Sequence, residues 1–214
     1  LIIEPGVEII FEGNYRFDIF GKLIAVGDSS NYIKFTGNGN QWMSINFADA
    51  SDDISAVEYC IIEDASESGY EPYYGAINAN QSSPTIKNNI IQNCSKYGIY
   101  LYYSNSSISK NQLSGIGITA IYSDQYSTST ISENTLSSVN NDGIIVLGEN
   151  SEIINNTLSN IYSNGIYAQG NNIKIEQNII SGVSSNGIYL SSGSYFSIKQ
   201  NNLSGSGNWA LNVE

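Results

Sequence analysis

Residues 108–121 read ISKNQLSGIGITAI, and residues 131–144 read ISENTLSSVNNDGI. Both segments carry Ile, two residues, Asn, one residue and Leu, and the tenth residue after the Asn is Ile. With Ile or Leu at the third fixed place, the pattern occurs six times, and its asparagines are Asn89, Asn111, Asn134, Asn156, Asn178 and Asn201. Successive asparagines are 22 or 23 residues apart, which identifies a repeat protein.

The repeat predicts short β-strands. A period of about 22 is too short for helical-hairpin repeats, which need about 33 residues or more. Apolar and polar side chains alternate, as in Gly165-Ile166-Tyr167-Ala168, which is the period of a strand. Asn, Ser and Gly recur every few residues and supply turns while disfavouring helix. We therefore predict an all-β protein, a single parallel β-solenoid over residues 1–214 with about nine or ten coils of 22 or 23 residues.

Residues one repeat apart are expected to stack, because paired strands lie about 4.8 Å from each other. The six asparagines then form an internal ladder of side-chain amides. Gly or Ala at the ninth place after each Asn predicts a tight corner. The fifth place predicts an interior column of Cys94, Ile116, Val139, Ile161, Val183 and Ser206.

Residues 1–83 are predicted to form irregular coils, and residues 84–214 to form six regular ones. Val57-x-x-Cys60-x-Ile62 matches the repeat with Cys60 in the Asn place. The step from Cys60 to Asn89 is 29 residues, which predicts a protruding loop at residues 66–74, where function is expected. Cys60 and Cys94 fall in different columns, so two buried free thiols are predicted.

The repeated I-x-x-N-x-I…G-I pattern resembles the right-handed parallel β-helix repeats of pectate-lyase-like and NosD-like proteins. Glu4-Pro5-Gly6-Val7, Gly21-Lys22-Leu23 and Ile33-Lys34-Phe35-Thr36 are similar to the first coils of secreted surface proteins with this fold. The resemblance covers nearly the whole chain. It implies a right-handed coil, a secreted or cell-surface location and carbohydrate-related work, in a superfamily that includes lyases, hydrolases, epimerases, adhesins and scaffolds.

A tyrosine column is the first candidate site. The eleventh place after each Asn holds Tyr100, Tyr122, Ile145, Tyr167, Tyr189 and Asn212, and strand parity predicts that the rings are exposed. Stacked rings with hydroxyl groups suit a glycan surface, to which Tyr73 and Tyr74 of the long loop are added. The same column is also explained by the preference of tyrosine for exposed strands, or by a protein-binding surface.

Acidic residues are the second candidate. Asp49, Asp52 and Asp53 are candidate Ca²⁺ ligands, although a solvated anionic surface explains them better and no calcium-loop signature is present. Glu63, Asp64 and Glu67 are the best catalytic set, since glycoside hydrolysis needs two carboxylates. The later acids occupy different columns, so no stacked pair is expected among Asp124, Glu133, Asp142, Glu149, Glu152, Glu176 and Glu214.

Composition excludes several functions. The net charge is −12, from 20 acidic and 8 basic residues, so nucleic acid is excluded as a partner. The absence of histidine excludes histidine catalysis and histidine metal ligation. No stretch approaches the ~18 apolar residues of a membrane span.

The predicted function is a non-catalytic module that binds carbohydrate or serves as an extracellular scaffold or stalk, with no required cofactor. One alternative is a polysaccharide lyase or glycoside hydrolase. Another is a fibre subunit, because both ends of the chain remain in strand register without a polar cap, unless flanking domains of a longer protein cover them.

Overall fold

A computed structural model describes residues 1–49, 51–66 and 74–214. The described residues form 27 strands and no helix. In chain order the strands are β1 (Ile2–Ile3), β2 (Glu8–Ile10), β3 (Phe17–Ile19), β4 (Ile24–Val26), β5 (Ile33–Thr36), β6 (Ile45–Phe47), β7 (Ala56–Glu58), β8 (Cys60–Glu63), β9 (Gly75–Asn80), β10 (Thr85–Lys87), β11 (Ile90–Cys94), β12 (Tyr97–Tyr102), β13 (Ser107–Ser109), β14 (Gln112–Ile116), β15 (Ile121–Ser123), β16 (Thr130–Ser132), β17 (Thr135–Val139), β18 (Ile144–Val146), β19 (Glu152–Ile154), β20 (Thr157–Ile161), β21 (Ile166–Ala168), β22 (Lys174–Glu176), β23 (Ile179–Val183), β24 (Ile188–Leu190), β25 (Ser197–Lys199), β26 (Asn202–Ser206) and β27 (Leu211–Val213).

Every third strand belongs to the same sheet, so the chain winds into three parallel sheets of nine strands each. The first sheet runs from β1 to β25, the second from β2 to β26 and the third from β3 to β27. Each coil contributes one strand to each sheet, which gives nine coils and confirms the predicted solenoid. No segment of the described residues forms a helix with the length and hydrophobicity that crossing a membrane requires.

The predicted stacking of repeats is confirmed residue by residue. In the first sheet Ile86 pairs with Ile108, and Ile108 pairs with Ile131. In the second sheet Leu113 pairs with Leu136. The interior is a column of apolar side chains from all three sheets, and the fifth-place column from Cys94 to Val183 is fully buried as predicted. The last member, Ser206, is only partly buried.

The asparagine ladder is also confirmed. The backbone N and side-chain Nδ2 of Asn111 both donate to Oδ1 of Asn134, at 2.9 and 3.0 Å. Nδ2 of Asn111 also donates to the carbonyl oxygen of Ile86 at 3.0 Å. The same donation to the next side chain repeats from Asn89 through Asn178, which donates to Asn201. Each amide therefore satisfies buried backbone groups at the bend between the first and second sheets.

The bend itself uses left-handed backbone. The residue before each ladder position has a φ between 50° and 59°, although none of these residues is glycine. They are Tyr59, Asn88, Lys110, Glu133, Asn155, Gln177 and Gln200. Tyr59 precedes Cys60, whose backbone N donates to Oδ1 of Asn89, so Cys60 occupies the ladder position as predicted.

The ninth-place corner leaves room for only a small residue. A Cβ atom on Gly143 would lie 2.6 Å from the carbonyl oxygen of Gly165 and 2.6 Å from Cδ2 of Leu158. Cys60 and Cys94 are free and buried, as predicted. Burial raises the pKa of both thiols to about 12, so they stay protonated at neutral pH.

We expect the substitution Asn134→Ala to lower the free energy of unfolding by about 3 kcal/mol, because it leaves the backbone N of Asn111 and the carbonyl of Ile108 without partners. The effect is measured by urea unfolding followed by circular dichroism. Asn140→Ala is the matched control, since Asn140 is exposed, and its effect is expected to stay within about 0.5 kcal/mol. Equal effects of the two substitutions would contradict the role of the ladder.

Candidate functional site

The predicted tyrosine column exists on the outer face of the third sheet. Tyr100 pairs with Tyr122, and Tyr167 pairs with Tyr189. Ile145 stands between Tyr122 and Tyr167 and divides the column into two aromatic pairs. The structure thus brings the predicted tyrosines into one line, as two separate pairs of rings.

The exposure predicted for the first pair is wrong at Tyr100, which is only 5% exposed. Its ring stacks on that of Tyr122 with centroids 4.7 Å apart and an interplanar angle of 4°. The rings of Tyr74 and Tyr97 each meet it edge-on at 5.4 Å. Parity places the ring outside the sheet, but the spacing of the coils stacks ring face against ring face, and the adjacent aromatic side chains cover the rest.

The hydroxyl groups of the second pair form hydrogen bonds within the chain. The ring centroids of Tyr167 and Tyr189 are 5.3 Å apart, with the rings tilted by 58°. The Tyr167 hydroxyl donates to Oγ of Ser191 at 2.9 Å, and the Tyr189 hydroxyl donates to Oε2 of Glu214 at 2.5 Å. The hydrogen bond to Glu214, followed by partial burial, raises the pKa of Tyr189. Both phenols already have acceptors within the chain.

A cleft lies beside the first pair, where the chain leaves the third sheet. It encloses about 260 Å³, and we call it the tyrosine cleft. The residues that line it are Tyr100, Tyr102, Tyr103, Tyr122, Asp124, Gln125 and Tyr126. Five aromatic rings and one carboxyl group from two successive coils therefore surround a single cavity.

The rings at the mouth of the cleft form a second stack. Tyr103 and Tyr126 lie with centroids 4.1 Å apart and an interplanar angle of 11°, and both are exposed. Tyr102 meets Tyr103 edge-on at 4.8 Å. Tyr103 has a φ of 50°, which directs the chain out of the strand at this point. Partial burial, and then a hydrogen bond with Tyr126, raises the pKa of Tyr103, so its phenol is neutral at physiological pH.

One carboxylate oxygen of Asp124 accepts three hydrogen bonds from residues in and beside the cleft. Its Oδ1 accepts from the backbone N of Tyr103 and of Tyr126, each at 3.2 Å, and from Oγ of Ser127 at 2.5 Å. The hydrogen bonds from Tyr126 and Ser127, two and three positions after Asp124, form an Asx turn, so the backbone turns sharply here. Asp124 is 4% exposed.

The second oxygen of Asp124 is different. Oδ2 is buried and has no hydrogen-bond partner among the described residues. A buried carboxylate oxygen without a donor costs free energy, so such an atom calls for an explanation. Asp124 is also one of the residues that line the tyrosine cleft.

The sequence-based prediction missed the centre of this site. The repeat pattern assigns no role to Asp124, because no other acid shares its column, and it does not indicate Tyr102, Tyr103 or Tyr126 as site residues. The available signal was local density: Tyr100, Tyr102, Tyr103, Tyr122 and Tyr126 fall in two successive repeats. Tyr74 lies beside the first aromatic pair, and Tyr73 lies outside the described residues.

The predicted catalytic acids lie on another face. Asp64 lines a cavity of about 470 Å³ between the second and third sheets, together with Asn93, Cys94 and Ser95. Glu63 does not line this cavity. Its carboxylate pairs with Nζ of Lys34 at 2.8 Å and accepts from Nε2 of Gln92 at 3.0 Å. Glu67 lies outside the described residues.

The environments of these two acids differ. Burial, followed by the charge of Glu63, raises the pKa of Asp64. Burial also opposes ionisation of Glu63, but hydrogen bonds from Lys34, Gln92 and Thr36 hold the pKa of Glu63 below its ordinary value. Two neighbouring carboxyl groups with opposite shifts suit an acid and a base.

The structure does not assemble the predicted calcium ligands. Oδ1 of Asp52 accepts from the backbone N of Ile54 at 2.9 Å, and Oδ1 of Asp53 accepts from the backbone N of Ser83 at 2.6 Å. Asp49 forms no cluster with them. Within residues 1–49, 51–66 and 74–214, no three Cys, Asp or Glu side chains converge to hold a metal ion. The expectation of a site at Asp49, Asp52 and Asp53 is therefore corrected, because Asp52 accepts within its own turn and Asp53 bonds the next coil instead of a shared centre.

The family model described as "Right handed beta helix region" matches residues 3–136 and 74–214. Among solved structures, a glycoside hydrolase is similar over 91% of this chain and 50% of its own, with 11% identity and a TM-score of 0.42. ORF18 of Geobacillus virus E2 is similar over 99% of this chain and 53% of its own, with 10% identity and a TM-score of 0.39. The catalytic domain of an alpha-1,3-glucanase in complex with nigerose is similar over 99% of this chain and 63% of its own, with 12% identity and a TM-score of 0.32. This chain thus spans about half the length of the first two structures. No curated protein matches the chain.

We expect Asp124→Asn to leave the free energy of unfolding within about 1 kcal/mol of the native value, or to raise it. The amide oxygen keeps the three hydrogen bonds of Oδ1, and the unpaired buried charge disappears. Asp124→Ala is the matched variant, and it should lower the free energy of unfolding by about 2–3 kcal/mol because all three donors lose their acceptor. Urea unfolding compares the two. A loss as large for Asn as for Ala would mean that Oδ2 has a structural partner.

Proposed function

The chain belongs to the right-handed β-helix family, and from this premise we propose that it is a non-catalytic carbohydrate-binding module of a secreted or cell-surface protein. The observation that carries the proposal is the tyrosine cleft, where five aromatic rings surround one cavity beside the buried carboxylate of Asp124. Aromatic rings supply apolar contact for the C–H faces of sugars, and phenol hydroxyl groups supply hydrogen bonds.

The size of the cleft fits a short part of a glycan. Its volume of about 260 Å³ lies just below the range of ~300–1,000 Å³ that is usual for small-molecule sites. The cleft accommodates one or two sugar residues, while the rest of a polymer continues over the open surface. The exposed stack of Tyr103 and Tyr126 borders this entrance.

The scaffold supports such a role because it is rigid where the site is built. Tyr100, Tyr102 and Tyr122 lie on β12 and β15, which pair through three residues in register. Tyr103, Asp124 and Tyr126 directly follow these strands and are joined by the Oδ1 hydrogen bonds. Side chains held in this way lose little conformational freedom on binding.

A second candidate function is polysaccharide hydrolysis. The observation that favours it is the pair of Glu63 and Asp64, whose pKa values shift in opposite directions, with Asp64 at the edge of the cavity of about 470 Å³. Asp64 would act as the acid in this function. The hydrogen bonds and ion pair that Glu63 forms with Lys34 and Gln92 favour the non-catalytic function.

The binding function predicts that the protein retains at least one glycan on an array, and that the double substitution Tyr103→Ala and Tyr126→Ala weakens its affinity about tenfold or more. The reason is the loss of the two rings at the mouth of the cleft. Isothermal titration calorimetry with the retained glycan measures the change.

Two variants serve as controls for that measurement. Tyr162→Ala removes a ring that is 75% exposed and does not line the tyrosine cleft, so its affinity is expected to stay native. The double substitution Tyr167→Ser and Tyr189→Ser tests the second aromatic pair. Loss of binding in this variant alone would move the site from the cleft to that pair.

Hydrolysis makes a separate prediction. If the second function holds, the native protein releases reducing ends from a polysaccharide, and Asp64→Asn reduces the release at least a hundredfold by removing the proton donor. A reducing-end assay on a panel of neutral and acidic polysaccharides measures this. Release that is unchanged in Asp64→Asn would show that Asp64 is not the acid.

A further inference from the structure

We propose that the tyrosine cleft selects a sugar that carries an ammonium group, either an amino sugar or a glycan with a choline-type substituent, over a neutral sugar. This inference rests on the proposed carbohydrate-binding function and names the chemical class of its ligand. The ligand class follows from the charge and the aromatic lining of the cleft.

The first step is an uncompensated negative charge. Asp124 is only 4% exposed, and its Oδ2 has no hydrogen-bond partner among the described residues. The three donors that reach Asp124 all bond Oδ1, and each of them is a neutral N–H or O–H group. No lysine or arginine is among the described residues that line the cleft. A positive charge in the cleft would therefore meet an anion that no described lysine or arginine pairs with.

The second step is the aromatic lining. An ammonium ion is attracted to the negative face of an aromatic ring, and cages of such rings recognise quaternary ammonium groups. Five tyrosine rings line the cleft. The adjoining aromatic cluster already holds such a contact, because Nζ of Lys96 lies 5.3 Å from the centroid of the Tyr74 ring.

A cation and a neutral sugar differ in how they would interact with Oδ2 of Asp124. Because Oδ2 is buried, a sugar hydroxyl would have to reach it directly to donate a hydrogen bond. The attraction of a cation needs no such contact, since it acts over several ångströms and is strong where water is excluded. The net charge of −12 adds a long-range attraction for cationic ligands. The geometry therefore favours a charge over a hydroxyl group.

The test compares pairs of probes that differ only in charge. Choline is titrated against its uncharged analogue, in which a quaternary carbon replaces the nitrogen, and glucosamine is titrated against glucose. Saturation-transfer NMR and calorimetry measure the affinity for the full chain. We expect the charged member of at least one pair to bind about tenfold more tightly. The choline and glucosamine arms distinguish the two sources of the ammonium group.

The variants locate the effect in the cleft. Asp124→Asn keeps the hydrogen bonds of Oδ1 and removes the charge, so we expect the preference for the charged probe to fall about tenfold. Tyr126→Ala removes one ring and provides a second variant that does not depend on the carboxylate. Tyr162→Ala, outside the cleft, is expected to keep the native preference.

Each outcome decides the matter. A preference that disappears in Asp124→Asn supports the inference. Equal affinity for charged and neutral probes, with glycan binding still lost in the Tyr103 and Tyr126 variant, overturns the inference and leaves the carbohydrate-binding function intact. A preference that survives in both Asp124→Asn and Tyr126→Ala overturns the assignment to this cleft. Retention of no glycan and of no probe overturns both proposals.

Discussion

The hydrogen bonds of the asparagine ladder fix the register on which the rest of the structure depends. From Asn89 to Asn178, each ladder side chain accepts from the coil before it and donates to the coil after it, while it also donates to a backbone carbonyl across the bend. A coil that slipped by one residue would break all of these bonds and turn its interior side chains outward. A repeat of 22 or 23 residues is therefore the length of chain that places the side-chain amides of successive coils within hydrogen-bonding distance.

Strict stacking has a consequence for binding. In a uniform column each ring lies against the ring of the next coil, as Tyr100 does against Tyr122, so the faces are occupied within the protein. Tyr103 and Tyr126 also stack on each other, but they follow the strands at the mouth of the cleft and stay 44% and 54% exposed, so part of each ring remains accessible. The site thus arises from a departure from the repeat, supported by regular coils on either side.

The same reasoning explains which features the sequence could predict. Six asparagines at nearly equal spacing predict the solenoid, the ladder and the interior columns, because these features repeat. The free thiols follow from the same spacing, since it places Cys60 and Cys94 in different columns. The burial of Tyr100 was missed, since it depends on Tyr74 and Tyr97, which belong to no common column. Asp124 was set aside for lacking a stacked partner, although its role comes from a single turn. A repeat pattern predicts only features that recur in every coil, and a site formed by two coils does not recur.

Two carboxylates are buried in the described part of the chain, and the contrast between them bears on function. Asp142 accepts two hydrogen bonds from Asn164, which in turn accepts from Asn186, so this acid belongs to a second, shorter amide ladder. Neither of its oxygens is buried without a partner. Asp124 forms an equally good turn with Oδ1, a role that an asparagine would fill without placing a charge in a dry site. The hydrogen bonds of Asp124 give no reason for its charge, whereas the cationic ligand proposed above would compensate it in the aromatic cleft.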